Sequence, residues 1–161
     1  LIALNAKAAK DLAEQFQART CQKTYYALLR GAMPVSETWQ QWNQPISDKA
    51  EGRKNPQGLA KDRQEARTEY KVTEASAYFS LIEVNLLTGR QHQIRKHSAM
   101  AKHSIVGDGR YGDPKYNARM ADMYGTDRMF LHAARLKISI EGKERIFEAA
   151  LPLDFKKLLG Q

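Results

Sequence analysis

The densest group of polar side chains in the sequence lies between Thr88 and His97, which reads Thr-Gly-Arg-Gln-His-Gln-Ile-Arg-Lys-His. An alternating strand pattern ends just before this stretch, and a helical pattern begins within it. The free N–H groups and the positive dipole end at the start of a helix attract anions. Arg95 falls one turn into that helix, where its planar guanidinium can hold a carboxylate or phosphate through two parallel hydrogen bonds. The stretch therefore predicts an anion-binding site.

Positive charge is concentrated in and after this stretch. The chain has 26 Lys and Arg residues against 18 Asp and Glu, a net charge of +8. Seven of the basic residues and only two acids fall between Gly89 and Arg119. Such a concentration favours a polyanion as partner, most commonly a nucleic acid, although charge alone fits a basic protein without such a ligand equally well. The candidates for backbone contacts are Arg90, Lys96, Lys102, Arg110 and Lys115.

Other kinds of site are disfavoured by the residue pattern. His92 and His97 are five residues apart with no Glu between them, unlike the i, i+4 pair of a zinc helix, so no metal is expected. Cys21 is the single cysteine; it excludes an internal disulfide, agrees with a reducing cytosol and is expected to be a small buried side chain. No apolar run approaches the roughly 20 residues that span a bilayer. We therefore expect a cytoplasmic protein without a membrane partner.

The periodicity predicts which elements position these residues. Asn5 is expected to cap a helix with an apolar stripe, Asp154 a final helical turn, and a polar loop to extend from Ser47 to Gln64. Further helices are predicted over 91–103 and 116–123, and strands over 22–30, 38–44, 67–74, 78–87, 130–140 and 145–151. Strands joined by hairpins, with helices inserted singly, indicate an α+β fold with a mixed, largely antiparallel sheet in a single domain over 1–161.

The first residues suggest that the chain begins inside an element. The run Leu1-Ile2-Ala3-Leu4 is apolar and lacks a methionine, so it is predicted to form the inside of a buried strand. Since such a strand needs neighbours on both sides, we expect Leu1 to follow a cut.

Several motifs occur in an order that resembles the RluA-type RNA pseudouridine synthases. The central motif is Thr88–Arg95 followed by the segment from Ile105 to Asp113, Ile-Val-Gly-Asp-Gly-Arg-Tyr-Gly-Asp. Weaker matches are Phe16 with Lys-Thr-Tyr-Tyr-Ala at 23–27, Phe-Leu-His-Ala at 130–133 and Ala-Leu-Pro-Leu at 150–153. Together they extend over nearly the whole chain.

The resemblance implies a fold, a reaction and two site residues. Enzymes of this family flip a uridine out of RNA, break its N-glycosidic bond, rotate the base and rejoin it through C5, without a cofactor. Tyr25 would stack on the flipped base, and Arg95 would pair with the catalytic Asp. Both roles agree with physical expectation, because an aromatic ring supports an unstacked base and a fixed guanidinium keeps a buried carboxylate ionised. The implied partner is ribosomal or transfer RNA, and we expect a monomer.

The chain departs from the family pattern at one point. The family's R-L-D-x-x-T-S-G segment, which contains the catalytic Asp, does not occur in the sequence. We expect that segment to precede Leu1, so the chain would be the C-terminal portion of the catalytic domain and the segment a possible partner. Two alternatives remain open: a catalytically inactive RNA-binding domain with the same basic cleft, and a basic structural domain in which Tyr25 and Arg95 lie far apart. Substrate choice is expected to reside in the Ser47–Gln64 loop and the insertion Tyr116–Asp127.

Overall fold

The computed structural model describes residues 2–18, 20–49, 51–126 and 128–160. Within these residues a six-stranded sheet is flanked by helices. The helices are α1 (Ala6–Ala18), α2 (Gln93–Met100), α3 (Pro114–Tyr124) and α4 (Leu153–Leu159), with a short 3₁₀ turn at Ala60–Asp62. The strands are β1 (Gln22–Arg30), β2 (Gln40–Trp42), β3 (Ile46–Ser47), β4 (Arg63–Gln64), β5 (Thr68–Ala75), β6 (Phe79–Leu86), β7 (Leu131–Ile140) and β8 (Lys143–Glu148).

The large sheet has the order β2-β5-β6-β1-β7-β8, and every neighbouring pair is antiparallel. The prediction of an α+β fold is confirmed, with the described sheet antiparallel rather than mixed. The bounds of β1 match those predicted, and Asn5 accepts the Ala8 N–H at 2.9 Å as the expected cap of α1.

Two local predictions are wrong. Residues 2–4 form no strand, and Ile2 and Leu4 are 84% and 92% exposed rather than buried. Leu1 lies outside the described residues. Asp154 does not cap α4, because Pro152 takes the cap position and the Asp154 carboxylate lies 3.2 Å from the Arg128 guanidinium.

The strand register shows which face of the sheet each side chain occupies. Residues directly opposite each other in an antiparallel pair point to the same side. Tyr70 of β5 pairs with Val84 of β6, and Val84 pairs with Tyr25 of β1, so the three share a face. Helix α2 packs on this face, where its His97 contacts Thr68 of β5. Tyr25 and α2 therefore lie on the same side of the sheet.

The opposite face is occupied by other residues. Tyr26 pairs with Glu83 on one side and with His132 on the other, so all three point away from α2. The His132 ring contacts the buried Phe155 of α4 edge-on at 6.3 Å. Helices α2 and α4 thus cover opposite faces, with a core of aliphatic β1 and β6 side chains between them.

Candidate active site

A glutamine fixes the start of α2 against the sheet. Gln93 accepts hydrogen bonds from the Thr88 hydroxyl at 2.7 Å and the Arg90 N–H at 3.0 Å. Its amide donates to the Arg67 carbonyl and the Thr68 hydroxyl, both at 2.9 Å. These four bonds hold the end of β6, the start of β5 and the first turn of α2 together. Arg95 lies two residues further along this first turn, so these bonds also set its orientation.

Arg95 holds a carboxylate as its residue type predicts, and that carboxylate belongs to Asp108. Its Nε donates to Oδ2 at 2.8 Å and its Nη2 to Oδ1 at 2.7 Å, so the pair is bidentate. The Arg95 side chain is 17% exposed and that of Asp108 fully buried. The hydrogen bonds to Asp108 raise the pKa of Arg95 further above its usual range, so the guanidinium stays charged.

The Asp108 carboxylate is held in turn by its own loop. Oδ1 also accepts the N–H groups of Arg110 and Tyr111, each at 2.9 Å. Burial alone would raise the pKa of Asp108, but the hydrogen bonds from Arg95, Tyr111 and Arg110 bring it below its usual range. The carboxylate is therefore ionised throughout the neutral range.

Two glycines allow the loop to take this path. Gly107 has a φ of +75°, and a side chain there would collide with the Arg128 carbonyl oxygen. A side chain at Gly112 would collide with the Asp108 carbonyl oxygen, which accepts the Gly112 N–H at 2.9 Å. The glycine spacing that contributes to the resemblance thus has a local physical cause.

The Tyr111 ring and the backbone-strained His92 also lie beside Arg95. The Tyr111 ring lies 5.1 Å from the Arg95 guanidinium carbon, and its hydroxyl is 3.1 Å from Nδ1 of His92. His92 immediately precedes α2 and has a φ of +55°, in the left-handed region that non-glycine residues rarely adopt. Burial and the positive charges of Arg95, Lys96 and Arg110 lower the pKa of His92. Backbone strain of this type is commonly found at functional sites.

Tyr25 lies in an open cleft on the α2 side of the sheet. The cleft has a volume of about 460 Å³ and is lined by Phe16, Lys23 and Tyr25 together with β7 and β8 residues that include Ala133 and Phe147. Burial, with a contribution from the nearby Cys21 thiol, raises the pKa of Tyr25. The phenol is therefore neutral at physiological pH and can donate a hydrogen bond.

Arg95 and Tyr25 lie on the same side of the sheet, in different elements. The segment that contains Asp108 leaves β1 at a bridge between Leu29 and Ile105, four residues along the strand from Tyr25. Asp108 then ties the segment to Arg95 of α2, which covers the face that Tyr25 shares. Arg95 does not line the Tyr25 cleft.

The five predicted RNA-contacting residues differ in their accessibility. Lys102, Arg110 and Lys115 are exposed. Arg90 is partly engaged, because its Nη1 lies 3.1 Å from the Asp48 carboxylate and its Nε donates to the Glu65 carbonyl.

Lys96 has a different environment from the one predicted. It is fully buried, and its ammonium donates to the carbonyls of Ser47 and Lys49, both at 2.6 Å. A lysine in this position cannot reach a phosphate, so we withdraw it from the predicted RNA contacts. Its helical position faces inward because the Ser47–Gln64 segment, predicted to be a solvated loop, folds back over α2 and includes the two-stranded β3–β4 sheet.

Sites of other kinds receive no support from the described residues. Among them, no group of three or more His, Cys, Asp or Glu side chains is arranged to hold a metal ion, and no helix is long and apolar enough to span a membrane. Cys21 is buried, as expected.

With this geometry established, the sequence was compared with known families. The profile of the family described as RNA pseudouridylate synthase matches residues 1–100, which include both Tyr25 and Arg95. The chain belongs to this family.

Curated relatives from bacteria have the same enzymatic name. "Ribosomal large subunit pseudouridine synthase C" of Escherichia coli is 34% identical over 163 residues, which cover 96% of this chain and 48% of that protein. The protein of the same name from Vibrio cholerae is 33% identical over 157 residues, covering 96% of this chain and 47% of that protein. "tRNA pseudouridine synthase C" of Salmonella typhi is 30% identical over 176 residues, covering 100% of this chain and 66% of that protein. The chain thus spans about half the length of the first two relatives.

Solved structures agree with the family assignment. Human RNA pseudouridylate synthase domain containing 1 superposes with a TM-score of 0.72 at 27% identity, covering 92% of this chain and 62% of that one. Human RNA pseudouridylate synthase domain containing 4 gives a TM-score of 0.73 at 22% identity, with 97% and 67% covered, and supports the fold alone. The pseudouridylate synthase fold predicted from the motifs is confirmed.

Proposed function

We propose that this chain is the C-terminal part of the catalytic domain of an RNA pseudouridine synthase acting on ribosomal or transfer RNA. In that reaction the bond between N1 and C1′ of a uridine breaks, a bond between C5 and C1′ forms, and the C5 hydrogen is released as a proton while N1 gains one. No oxidant or reductant is needed, because the product is an isomer.

The observation that supports this function is the placement of Arg95. Arg95 lies in α2, which packs on the sheet face that Tyr25 shares, and its side chain is 17% exposed. Two of its five N–H groups bind Asp108, and the other three have no hydrogen-bond partner among the described residues, so they can bind a further anion. We propose that Arg95 orients the catalytic carboxylate of the R-L-D-x-x-T-S-G segment and that Tyr25 stacks on the flipped uracil.

The proposed RNA path uses the exposed basic residues. Lys102, Arg110 and Lys115 would contact phosphates, and Arg90 would do so if it exchanged its ion pair with Asp48. Such contacts position RNA without selecting a sequence.

The alternative is a catalytically inactive RNA-binding domain. It differs from the enzyme in needing no R-L-D-x-x-T-S-G segment, which does not occur in this sequence. Under this alternative the same basic residues would bind RNA, but no uridine would be isomerised.

The experiment uses a full-length protein that includes both this sequence and the Asp-bearing segment. Ribosomal and transfer RNA transcripts are labelled with tritium at C5 of uridine, so that each isomerisation releases one tritium to water. We expect release by the wild-type protein and a loss of about 100-fold or more in Arg95→Ala, because an interaction with a charged group in the site is removed.

The control is Arg119→Ala, which removes an exposed arginine of α3 and is expected to have the wild-type rate. Normal turnover by Arg95→Ala would refute the role of that arginine. RNA binding by the wild-type protein without tritium release from either RNA would favour the inactive alternative.

A further inference from the structure

We propose that Asp108 is a positioning residue of this site: it fixes one edge of the Arg95 guanidinium so that the other edge is presented to the reacting centre. The inference rests on the proposed function and assigns a role to a carboxylate in the second segment of the central motif, Ile105 to Asp113.

The first argument is the way in which Asp108 divides the donors of Arg95. It occupies Nε and one N–H of Nη2 at 2.8 and 2.7 Å, which are adjacent positions on one edge of the planar group. Both N–H groups of Nη1 and the second of Nη2 remain at the far end. Because the guanidinium is planar, holding one edge determines the direction of the other.

The second argument is the rigidity of Asp108. Its Oδ1 is bound by two backbone N–H groups of its own turn, and its carbonyl accepts the Gly112 N–H and the Asn117 amide. The side chain of Asn117 also accepts the Gly107 N–H at 3.1 Å. A carboxylate fixed in this way cannot follow Arg95 if the helix moves, so the direction of the guanidinium is set by the turn.

The third argument is charge. A buried guanidinium without a partner is costly, and a bidentate carboxylate offsets that cost before any substrate binds. Tyr111 closes one face of the guanidinium at 5.1 Å, so that displacement in that direction is blocked. Arg95 is thus held in its orientation in the absence of RNA, which is the condition for stabilising charge in a reaction without reorganisation.

The geometry suggests a substitution that disturbs Arg95 and leaves the turn intact. In Asp108→Asn, three donors converge on Oδ1, so the amide oxygen takes that position and keeps the bonds to Arg110 and Tyr111. The NH₂ group then replaces Oδ2 and faces the Arg95 Nε–H, where two donors repel each other. The guanidinium should shift while the loop keeps its path.

The test is a double-mutant cycle in the full-length protein, read as single-turnover tritium release at saturating RNA, with the RNA Kd measured separately. We expect Asp108→Asn to lower the rate about 100-fold, since a displacement of about 1 Å has such an effect, and to change the Kd less than about threefold. In an Arg95→Ala background the same substitution should change the rate no further, because Asp108 acts through that arginine.

The control is Asp113→Asn, the capping aspartate of α3 that accepts the N–H groups of Lys115 and Tyr116, for which we expect the wild-type rate. Full rate losses from Asp108→Asn in both backgrounds would show an independent structural effect and overturn the inference. A wild-type protein that releases no tritium would instead overturn the proposed function, and the inference with it.

Arg95→Lys tests the same idea if Asp108→Asn does not fold. Lysine keeps the charge but has no planar fork that a carboxylate can hold along one edge. We expect a rate loss similar to that of Asp108→Asn with RNA affinity unchanged; a wild-type rate would show that the fixed orientation is not needed.

Discussion

At the scale of single residues, Tyr25 combines an apolar ring with a hydroxyl that stays protonated at neutral pH. The ring packs against the core from β1 and lines the open cleft, and burial keeps the phenol neutral. Its neighbour Tyr26 points to the opposite face, beside Glu83. The pair therefore provides a test and a matched control on adjacent positions of one strand.

We predict that Tyr25→Phe in the full-length protein binds RNA as tightly as the wild type but forms pseudouridine at least about 10-fold more slowly. General acid–base catalysis typically contributes about 100-fold or more, so 10-fold is a lower bound. The reason is that phenylalanine retains the stacking surface and loses only the hydroxyl. RNA Kd and single-turnover tritium release are the measurements. Tyr26→Phe should match the wild type in both. Unimpaired turnover by Tyr25→Phe would leave stacking as the sole role of Tyr25.

Residue types alone predict part of this site. A guanidinium one turn into a helix predicts an oxyanion partner, and Arg95 has one. The sequence does not identify Asp108, because the segment that separates it from Arg95, 13 positions earlier, must first fold into a helix end and a glycine turn. The available signal was an aspartate flanked by glycines in Gly107-Asp108-Gly109. Lys96 was assigned to RNA because its burial depends on a loop more than 40 positions away in sequence.

At the scale of elements, the segment between β2 and β5 is fixed to α2 by several polar contacts. Lys96 binds the Ser47 and Lys49 carbonyls, Asp48 accepts the Gln91 N–H at 3.0 Å, and His97 binds the Gln44 carbonyl at 2.9 Å. These hydrogen bonds therefore hold the segment in place beside the start of α2.

We predict that Lys96→Met lowers the free energy of unfolding by about 2 kcal/mol, because the carbonyls of Ser47 and Lys49 lose a charged donor. The segment should also become more accessible to trypsin, which cleaves after Lys and Arg, because the segment contains Lys49 and Arg53. Urea unfolding and limited proteolysis are the measurements. Lys102→Met, at an exposed position, is the control. Equal protease resistance of the two variants would contradict the role of Lys96 as a tether.

His97 makes the same contact region sensitive to pH. Its ring is fully buried between the Thr68 hydroxyl at 2.8 Å and the Gln44 carbonyl, and burial lowers its pKa despite the hydrogen bond to Gln44. The unfolded chain then takes up a proton near pH 6.5 that the folded chain does not, so stability must fall as the pH drops below about 6.5.

We predict that His97→Gln flattens this pH dependence while lowering stability at pH 7. The measurement is the urea midpoint between pH 7 and pH 5. His103→Gln, which removes a surface histidine that contacts the Arg30 carbonyl, should retain the wild-type slope. An unchanged slope in His97→Gln would assign the pH dependence to another group.

Elements were predictable where periodicity extends over many residues. Strand β1 has nine residues, is rich in Tyr and Leu and ends just before Gly31, and the bounds predicted for it match the structure. Strands β3 and β4 have two residues each, too few for a period, and they pair only because the surrounding segment packs on α2. The run at 2–4 is apolar but has no strand beside it in the described structure, and its side chains are exposed.

At the scale of the whole molecule, strand order places the site. Strand β1 lies inside the sheet between β6 and β7, so Tyr25 is fixed on both sides, while the cleft beside it remains open over β7 and β8. Phe16 and Phe147 in the wall of this cleft are 40% and 44% exposed. The strand order could not be derived from the sequence, because pairing between β1 and β7 joins positions more than 100 residues apart.

We predict that the purified 161-residue chain binds RNA weakly and forms no pseudouridine. It contains the proposed arginine and stacking ring, but its sequence contains no R-L-D-x-x-T-S-G segment to supply the catalytic carboxylate. Arg95 would stay paired with Asp108, and the N–H groups of its outer edge would have no catalytic carboxylate to bind. Tritium release from C5-labelled ribosomal and transfer RNA, compared with a full-length protein at equal concentration, is the measurement. Release by the 161-residue chain that is abolished by Arg95→Ala would show that the catalytic carboxylate lies within these residues, and would make Asp108 the first candidate for it.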